Sequence, residues 1–293
     1  MVFENLVQST EEYIGVLRHV PIHYLLLAIG TYYLSVFLFA LRWKYVLKGT
    51  GVDVPLAELF KANLAGLFVN NITPMSRGGG ELLRMAWISK LQGIPMRISA
   101  VTVVYERILE SIPVMVMVAL GFLYFTTSEA FALIPLVVGL ALIWLKWEKF
   151  IELTLRLFRV NLSEEERERI VTLRKRGDVN LVGIGTSSLV WVLDVLRLKL
   201  ITLALGLNVS LPVLVLASVI NLILGIAAFT PGGIGVVEGG LIGTLTYLGF
   251  PPALAVSTVL LERFISYVLG SISGLLVLLT SGGREAWRAL KSR

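Results

Sequence analysis

Three helix-length, predominantly apolar runs, Tyr24–Ala40, Phe131–Trp147 and Leu181–Leu205, constrain this chain more than any other feature. A helix crossing a bilayer needs roughly 20 apolar residues, and these runs approach or exceed that length. Composition agrees. The 293 residues are 56% hydrophobic and 16% charged, with a mean hydropathy of +0.82. Soluble domains are nearer about 45–50% apolar and about 25% charged. A soluble domain, a disordered chain and a fibrous repeat are excluded. A transmembrane barrel would show segments of about ten residues with alternating hydrophobicity instead. The pattern predicts an all-α polytopic membrane protein forming a single transmembrane domain over 1–293.

The absence of cysteine removes disulfides, thiolate catalysis and Cys-bound zinc. The two histidines, His19 and His23, precede or open the first span, which argues against a histidine metal site or proton relay within the membrane. The net charge of +6 reads as basic cytoplasmic loops, not nucleic-acid binding. Residues 1–20 carry Glu4, Glu11 and Glu12 without a basic leader region, and read as a short amphipathic entry helix, not a signal peptide.

Candidate spans cover 22–47, 97–127, 131–147, 181–206 and 252–280. Two further apolar stretches are interrupted. Residues 57–92 are broken by Thr73-Pro74 and Gly78-Gly79-Gly80, and residues 211–248 by Thr230-Pro231-Gly232-Gly233. Proline removes a donor and disfavours helix at the residue before it. Each stretch therefore reads as two half-length helices in a re-entrant hairpin, with four thin, kinked spans as the alternative. Residues 148–180, with Glu164-Glu165-Glu166, Arg167, Arg169, Arg174, Lys175 and Arg176, read as a solvated helical connector. Arg42, Lys44 and Lys48 are read as following the first span, and Arg84, Lys90 and Arg97 as flanking the first hairpin's exit. The tail is basic too, whereas 207–211 and 249–252 are uncharged. The excess of positive charge on cytoplasmic loops then predicts a multi-pass cell-membrane protein, N-terminus outside and C-terminus cytoplasmic.

The chain also repeats itself at an offset of about 156 residues. Leu41-Arg42-Trp43-Lys44 matches Leu196-Arg197-Leu198-Lys199, Gly51 matches Gly206, and Pro55 matches Pro212. Thr73-Pro74 matches Thr230-Pro231, and seven residues after each proline stand Glu81 and Glu238. Gly93-Ile94-Pro95 matches Gly249-Phe250-Pro251, and eleven residues on, Glu106-Arg107 matches Glu262-Arg263. Each unit is span, broken hairpin, span: repeat one over 22–127 and repeat two over 181–280. The linking span and connector at 131–180 put one unpaired crossing between them, so the second unit is expected upside down. Inverted repeats whose broken helices meet near the midplane are a transporter architecture.

Chemistry is expected at the breaks. A half-helix starting after the glycines offers free N–H groups and the positive end of its dipole, an anion site. The candidate lipid-headgroup site comprises Thr73, Pro74, Arg77, Gly78, Gly79, Gly80, Glu81 and Arg84 in the first hairpin, with Thr230, Pro231, Gly232, Gly233 and Glu238 in the second. The plainer reading is that the threonines cap, the glycines turn, and the glutamates pair with the helix dipole. Asn70, Asn71 and Asn221 read as interhelical hydrogen-bonding residues, and Trp43, Trp144, Trp147 and Trp287 as interface-belt residues. Glu106, Arg107, Glu110, Asp194, Arg197, Glu262 and Arg263 form an expected intramembrane charged centre. Glu106-Arg107 and Glu262-Arg263 fall about ten residues into their spans, about 15 Å deep. Buried charge there costs at least about 2.5–3.5 kcal/mol each, so these groups need partners or a wet cavity. Structural ion bridges and a lining along which a headgroup moves both satisfy that demand.

No GxxxxGK[ST] loop is present for an ATP-driven pump, and no Ser–His or Cys–His pair serves acyl transfer. The reading is not an enzyme, with no cofactor and no metal site.

At Asn71-Ile72-Thr73-Pro74, Gly79-Gly80-Glu81-Leu82-Leu83-Arg84 and Glu106-Arg107, the sequence resembles the transmembrane region of lysylphosphatidylglycerol synthase, a flippase-like family. Thr230-Pro231-Gly232-Gly233-Ile234-Gly235-Val236-Val237-Glu238 and Glu262-Arg263 carry the same resemblance, which covers roughly residues 20–280. Multiple peptide resistance factors add a soluble domain that transfers lysine from aminoacyl-tRNA to phosphatidylglycerol. These 293 residues lack that domain, so the resemblance implies the translocating half only. It implies a lipid translocase acting on a phospholipid or polyisoprenyl-phosphate type of headgroup. Membrane lipid is the expected partner, with a homo-oligomer and a separate lipid-modifying enzyme left open. The competing readings are a proton- or Na⁺-coupled transporter of a small solute, acting through Glu106, Glu262 or Asp194, and a membrane transferase, against which the opposed hairpins argue.

Overall fold

A computed structural model describes residues 20–73, 78–125, 138–139, 142, 145–147, 149–150, 152–153 and 163–281. Pro74 and Arg77, most of the 131–147 span, Trp144, Trp287 and the basic tail lie outside these residues. All regular elements among the described residues are helical. In order they are α1 (Ile22–Gly49), α2 (Leu56–Ile72), α3 (Gly78–Leu91), α4 (Met96–Phe125), α5 (Glu164–Thr172), α6 (Gly177–Ala204), α7 (Leu211–Ala227), α8 (Val236–Tyr247), α9 (Pro252–Arg263) and α10 (Gly270–Thr280). A π-helical segment, Phe264–Leu269, joins α9 to α10 without a break. Ile22–Gly49, Gly177–Ala204 and Pro252–Thr280 are each long and apolar enough to cross a membrane.

Element boundaries follow the punctuation in the sequence. Gly51 and Gly206, at matching repeat positions, turn the chain just past α1 and α6 with φ of 82° and 76°, the left-handed conformation that glycine supplies without strain. The first break separates a 17-residue helix from a 14-residue one. The second separates a 17-residue helix from a 12-residue one, across a 3₁₀ turn at Pro231–Gly233. α1 and α6 are both 28 residues long. The long helices opposite the breaks are distorted at matching places as well. Pro113 lies inside α4, and the π segment occupies the corresponding stretch after α9. Proline deletes a helix hydrogen bond and a π turn misaligns one.

The interior forms where α1 packs along α6 and where α2 is clasped by α3 and α10. Close approach depends on missing side chains. A methyl group at Gly80 would sit 2.1 Å from the Gly66 carbonyl oxygen, and one at Gly274 would sit 2.2 Å from that of Leu64. Trp43 and Trp147, expected at the membrane interface, are buried. Trp43 donates to Thr102 Oγ1 at 3.0 Å and Trp147 to the Ile170 carbonyl at 3.2 Å. A buried indole N–H needs a partner, and these two have one inside the bundle. Arg42, read as a loop charge, lies within α1 and is 1% exposed. The outward faces carry Leu181, Val192, Ile226 and Phe229, all exposed, as lipid contact requires.

The Gly66–Gly80 crossing makes a direct stability test. Gly80→Ala is expected to lower stability by about 1–3 kcal/mol, because backbone and not a flexible side chain must yield. Gly78→Ala, with nothing within 4 Å of its added methyl, should unfold at close to the native temperature in the same detergent melt.

Candidate functional site

The charges expected inside the membrane converge through a repeated pair. Arg42 on α1 donates to Glu106 Oε1 on α4 at 3.2 Å, and Arg197 on α6 donates to Glu262 Oε1 on α9, also at 3.2 Å. The four side chains are 0–6% exposed. Each half thus ties its first long helix to its last by one buried guanidinium–carboxylate contact. Isolated charges in such a place carry a desolvation cost of several kcal/mol each, and only well-made pairs offset it.

Around this pair the first half builds a continuous network. Arg84 on α3 donates to Glu81 at 2.8 Å and to Glu106 Oε2 at 2.7 Å, and its guanidinium lies 4.2 Å over the Trp43 ring. Arg107 pairs with Glu81 and, at 2.5 Å, with Glu110. Glu110 also reaches Arg42 at 3.4 Å, and Ser187 on α6 accepts from Arg42 at 2.9 Å. Glu110 thus stands one helical turn from Glu106 and engages Arg107, as its spacing suggests. Arg107 is 38% exposed, the most open arginine of the network.

The second half is sparser. Arg197 pairs with Asp194 one turn before it and lies 5.8 Å from the Tyr32 ring centre. Arg263 donates to Glu238 at 2.5 Å and to the Gly232 carbonyl at 2.8 Å, with its guanidinium 4.7 Å from the Tyr267 ring. Both Glu81 and Glu238 lie in the first turn of the helix after a break, and both bind the arginine following the deep glutamate.

The breaks themselves differ from the expectation of open anion sites. In the first, the Asn70 side chain already accepts from the Gly80 N–H at 2.8 Å. In the second, Glu238 accepts from the Gly235 N–H at 2.7 Å, so the protein's own carboxylate occupies the start of α8. Thr73 closes α2 as its C-cap residue, and Thr230 stands just before the 3₁₀ turn. Thr73 donates to Val69 O at 2.7 Å and Thr230 to Ile234 O at 2.9 Å. Gly79 packs on the Thr73 side chain and Gly232 on Tyr267 and the Asn71 carbonyl, so the two breaks meet. Gly232 and Gly233 hold φ of 59° and 73°, which favours glycine there.

The halves interlock where the π segment frees carbonyl groups. Tyr32 donates to Ser266 O at 3.1 Å, and Asn71 to Tyr267 O at 3.3 Å and Ser271 Oγ at 2.8 Å. Tyr267 returns a bond to Asn71 O at 3.1 Å. Beside this junction lies a cavity of about 250 Å³. From the first half it is lined by Asn63, Asn70, Asn71, Glu81, Arg84, Arg107 and Glu110, and from the second by Asn221, Gly232, Arg263 and Tyr267. Six of the sequence-selected residues therefore share one cavity: Glu81, Arg84, Arg107, Glu110, Gly232 and Arg263. Glu106, Asp194, Arg197, Glu238 and Glu262 stand behind it as partners, and Gly78 and Gly233 do not line it. Thr73, Gly79, Gly80, Thr230 and Pro231 shape the breaks.

Sequence reasoning missed Arg42, Tyr32 and Tyr267. For Arg42 the signal was present, since it is the repeat counterpart of Arg197, which was placed in the charged centre. For the tyrosines no local pattern separates an interface belt from a cavity wall.

A model of the lysylphosphatidylglycerol synthase transmembrane region matches residues 7–274. Among curated proteins, a UPF0104 membrane protein of Pyrococcus horikoshii is 30% identical, covering 92% of this chain and 90% of its own length. One of Methanocaldococcus jannaschii is 29% identical over 92% of this chain and 88% of its own. A third, from Methanothermobacter thermautotrophicus, is 27% identical over 86% and 83%. No solved structure matches. With its multi-pass apolar helices, the chain belongs to the membrane-protein family defined by the lysylphosphatidylglycerol synthase transmembrane region.

Proposed function

We propose that this protein translocates a lipid, taking a polar or phosphate-bearing headgroup into the cavity between its halves while the tails stay in the bilayer. The observation that carries the reading is the charged cavity of about 250 Å³ inside an apolar helical bundle. Ionisable groups inside a membrane face a partner or a pathway for cargo, and these pair with one another while five of them also line the cavity. The volume suits a headgroup and not two hydrocarbon chains. Three arginines line it with two glutamates and four asparagines, so both signs of charge and neutral hydrogen-bonding groups meet the cargo. That suits a phosphate, alone or within a zwitterion. The described residues of the breaks belong to the same proposal as the approach to the cavity, and Arg77 remains a candidate headgroup contact from the sequence alone.

The matched element lengths, the matched helix distortions and the repeated Arg–Glu pair support two inverted units of span, re-entrant hairpin and span. The protein moves its cargo without transforming it, in the cell membrane, with the N-terminus outside. Of the basic residues in the last turns of α1, Lys44 and Lys48 carry the orientation once Arg42 is placed inside. Single cysteines introduced at Asp53 and Ser163 should be shielded from an impermeant thiol reagent in intact cells, and one at Ser210 should be labelled. The reverse pattern would overturn the topology.

For transport, Arg107 is the cleanest probe, because it is the most open arginine and its carboxylate partners keep other partners without it. In vesicles reconstituted with the purified protein, Arg107→Ala is expected to slow movement of a fluorescent anionic lipid by roughly tenfold or more, a charge-assisted hydrogen bond being worth about 1.5–3 kcal/mol. Arg176→Ala, on the exposed connector, should leave the rate unchanged. Accumulation of a soluble anion without lipid movement would favour the solute-transporter reading instead. Glu106→Gln tests a different property. It removes one of two carboxylate partners from each of Arg42 and Arg84 and should destabilise the fold by about 1–3 kcal/mol in a detergent melt.

A further inference from the structure

Glu262 is 2% exposed, and only half of its carboxylate is used. Oε1 accepts from Arg197, while Oε2 has no hydrogen-bond partner among the described residues. The counterpart in the first half, Glu106, has both oxygens engaged: Oε1 by Arg42 and Oε2 by Arg84. The difference traces to one position. Arg84 stands three residues after Glu81, and three residues after Glu238 stands Leu241. Among the described residues, three arginines meet three carboxylates in the first half's network. In the second, Arg197 and Arg263 meet Asp194, Glu238 and Glu262, one positive charge short.

The missing guanidinium leaves a space. A second void of about 10 Å³ is lined by Leu241, Glu262, Thr202, Thr258 and Asn221 within an apolar shell. That is the room of a single water-sized group. Thr202 donates to Lys199 O at 3.0 Å and Thr258 to Leu254 O at 2.7 Å. With their protons committed to their own helices, both hydroxyls offer lone pairs to the void. Asn221 offers an amide oxygen, and Glu262 Oε2 offers the charge.

We propose that this void binds one small monovalent metal cation of the Na⁺ class, which takes the place that the Arg84 guanidinium holds in the other half. Oxygen ligands suit a hard cation, and a divalent ion such as Mg²⁺ would need its waters and near-octahedral room. One charge is missing, and one is supplied. The charged and titratable groups around the site are Arg197 and Asp194 on α6, Tyr32 on α1 beside Arg197, and the Glu238–Arg263 pair. Asn221 also lines the large cavity, so the ion and the cargo share a side chain. Under the translocation reading this is where an ion gradient acts on transport, but the site itself stands independently of that reading.

The test is thermal unfolding of the full-length protein in detergent, in NaCl against choline chloride at equal ionic strength and fixed pH. The melting temperature should rise with Na⁺ and saturate, as binding to the folded state alone requires. Thr258→Val, which removes one oxygen and keeps the shape, should weaken the apparent Na⁺ affinity by about tenfold. Leu241→Arg supplies a fixed guanidinium and should abolish the Na⁺ response. Should that variant fail to fold, Thr258→Val carries the decision. Equal melting temperatures in Na⁺ and choline, an undiminished response in Thr258→Val, or a response to pH alone would each overturn the proposal, the last in favour of a proton. None of these results depends on lipid movement, so the site and the transport reading fail separately.

Discussion

A guanidinium among apolar helices must find a carboxylate or leave the bilayer, and that requirement organises this molecule. Arg42 and Arg197 cannot reach water at 1% and 5% exposure, so Glu106 and Glu262 have to lie opposite them. Meeting that demand fixes the distance and rotation between α1 and α4 and between α6 and α9. Hydrophobic contact could not do the same, because lipid tails compete equally well for apolar side chains. Once the two pairs are set, the helices after the breaks dock through the next arginines, Arg107 on Glu81 and Arg263 on Glu238. The cavity is the space left between groups that are each held by charge.

Much of this arrangement was legible from the chain alone, for a physical reason. Span length is set by bilayer thickness, and proline and glycine punctuate a helix wherever they fall. The bounds of α1, α4, α6 and the α9–α10 helix therefore emerge within a few residues. The duplicated Glu-Arg motifs are legible because a rare charge in a long apolar segment has few neutral explanations. Arg42 was misread for the opposite reason. It lies near the end of an apolar run beside Lys44 and Lys48, where a basic residue ordinarily marks the cytoplasmic boundary. Its repeat partner Arg197 was the better guide, because a duplicated position inherits a duplicated environment. The tryptophans failed similarly. Trp43 sits where interface belts sit, but its indole is directed inward to Thr102 and covered by Arg84.

The breaks illustrate a subtler limit. Proline and glycine reveal where a helix must stop, but not what satisfies the groups left exposed. An open helix start is an anion site only if nothing in the protein already claims it. Asn70 claims one N–H in the first half, and Glu238 claims one in the second. Both lie on the break's own flanks, within a dozen residues of the group they satisfy, so the competition is local and strong. Under the proposed function, side chains and not backbone amides alone would face the cargo, above all Arg107, whose two carboxylate partners each keep a second arginine.

Under the proposed function, the same pairing pattern is what would let cargo move through a cavity walled by ion pairs. Arg107 is bound by Glu81 and Glu110, and each carboxylate keeps a second arginine: Arg84 for Glu81 and Arg42 for Glu110. Under the proposed function, a phosphate that reached Arg107 would displace neighbours that remain paired. The pairs farther in are more deeply buried, Glu106 holding both Arg42 and Arg84 where none of the three side chains is more than 7% exposed. Pro113 and the π segment lie beyond the deep glutamates on matching helices, and the carbonyls around the π turn are held by Tyr32 and Asn71 from the other half. Under the proposed translocation, a change in how Arg107 or Arg263 is partnered would reach the junction between the halves without breaking either deep pair.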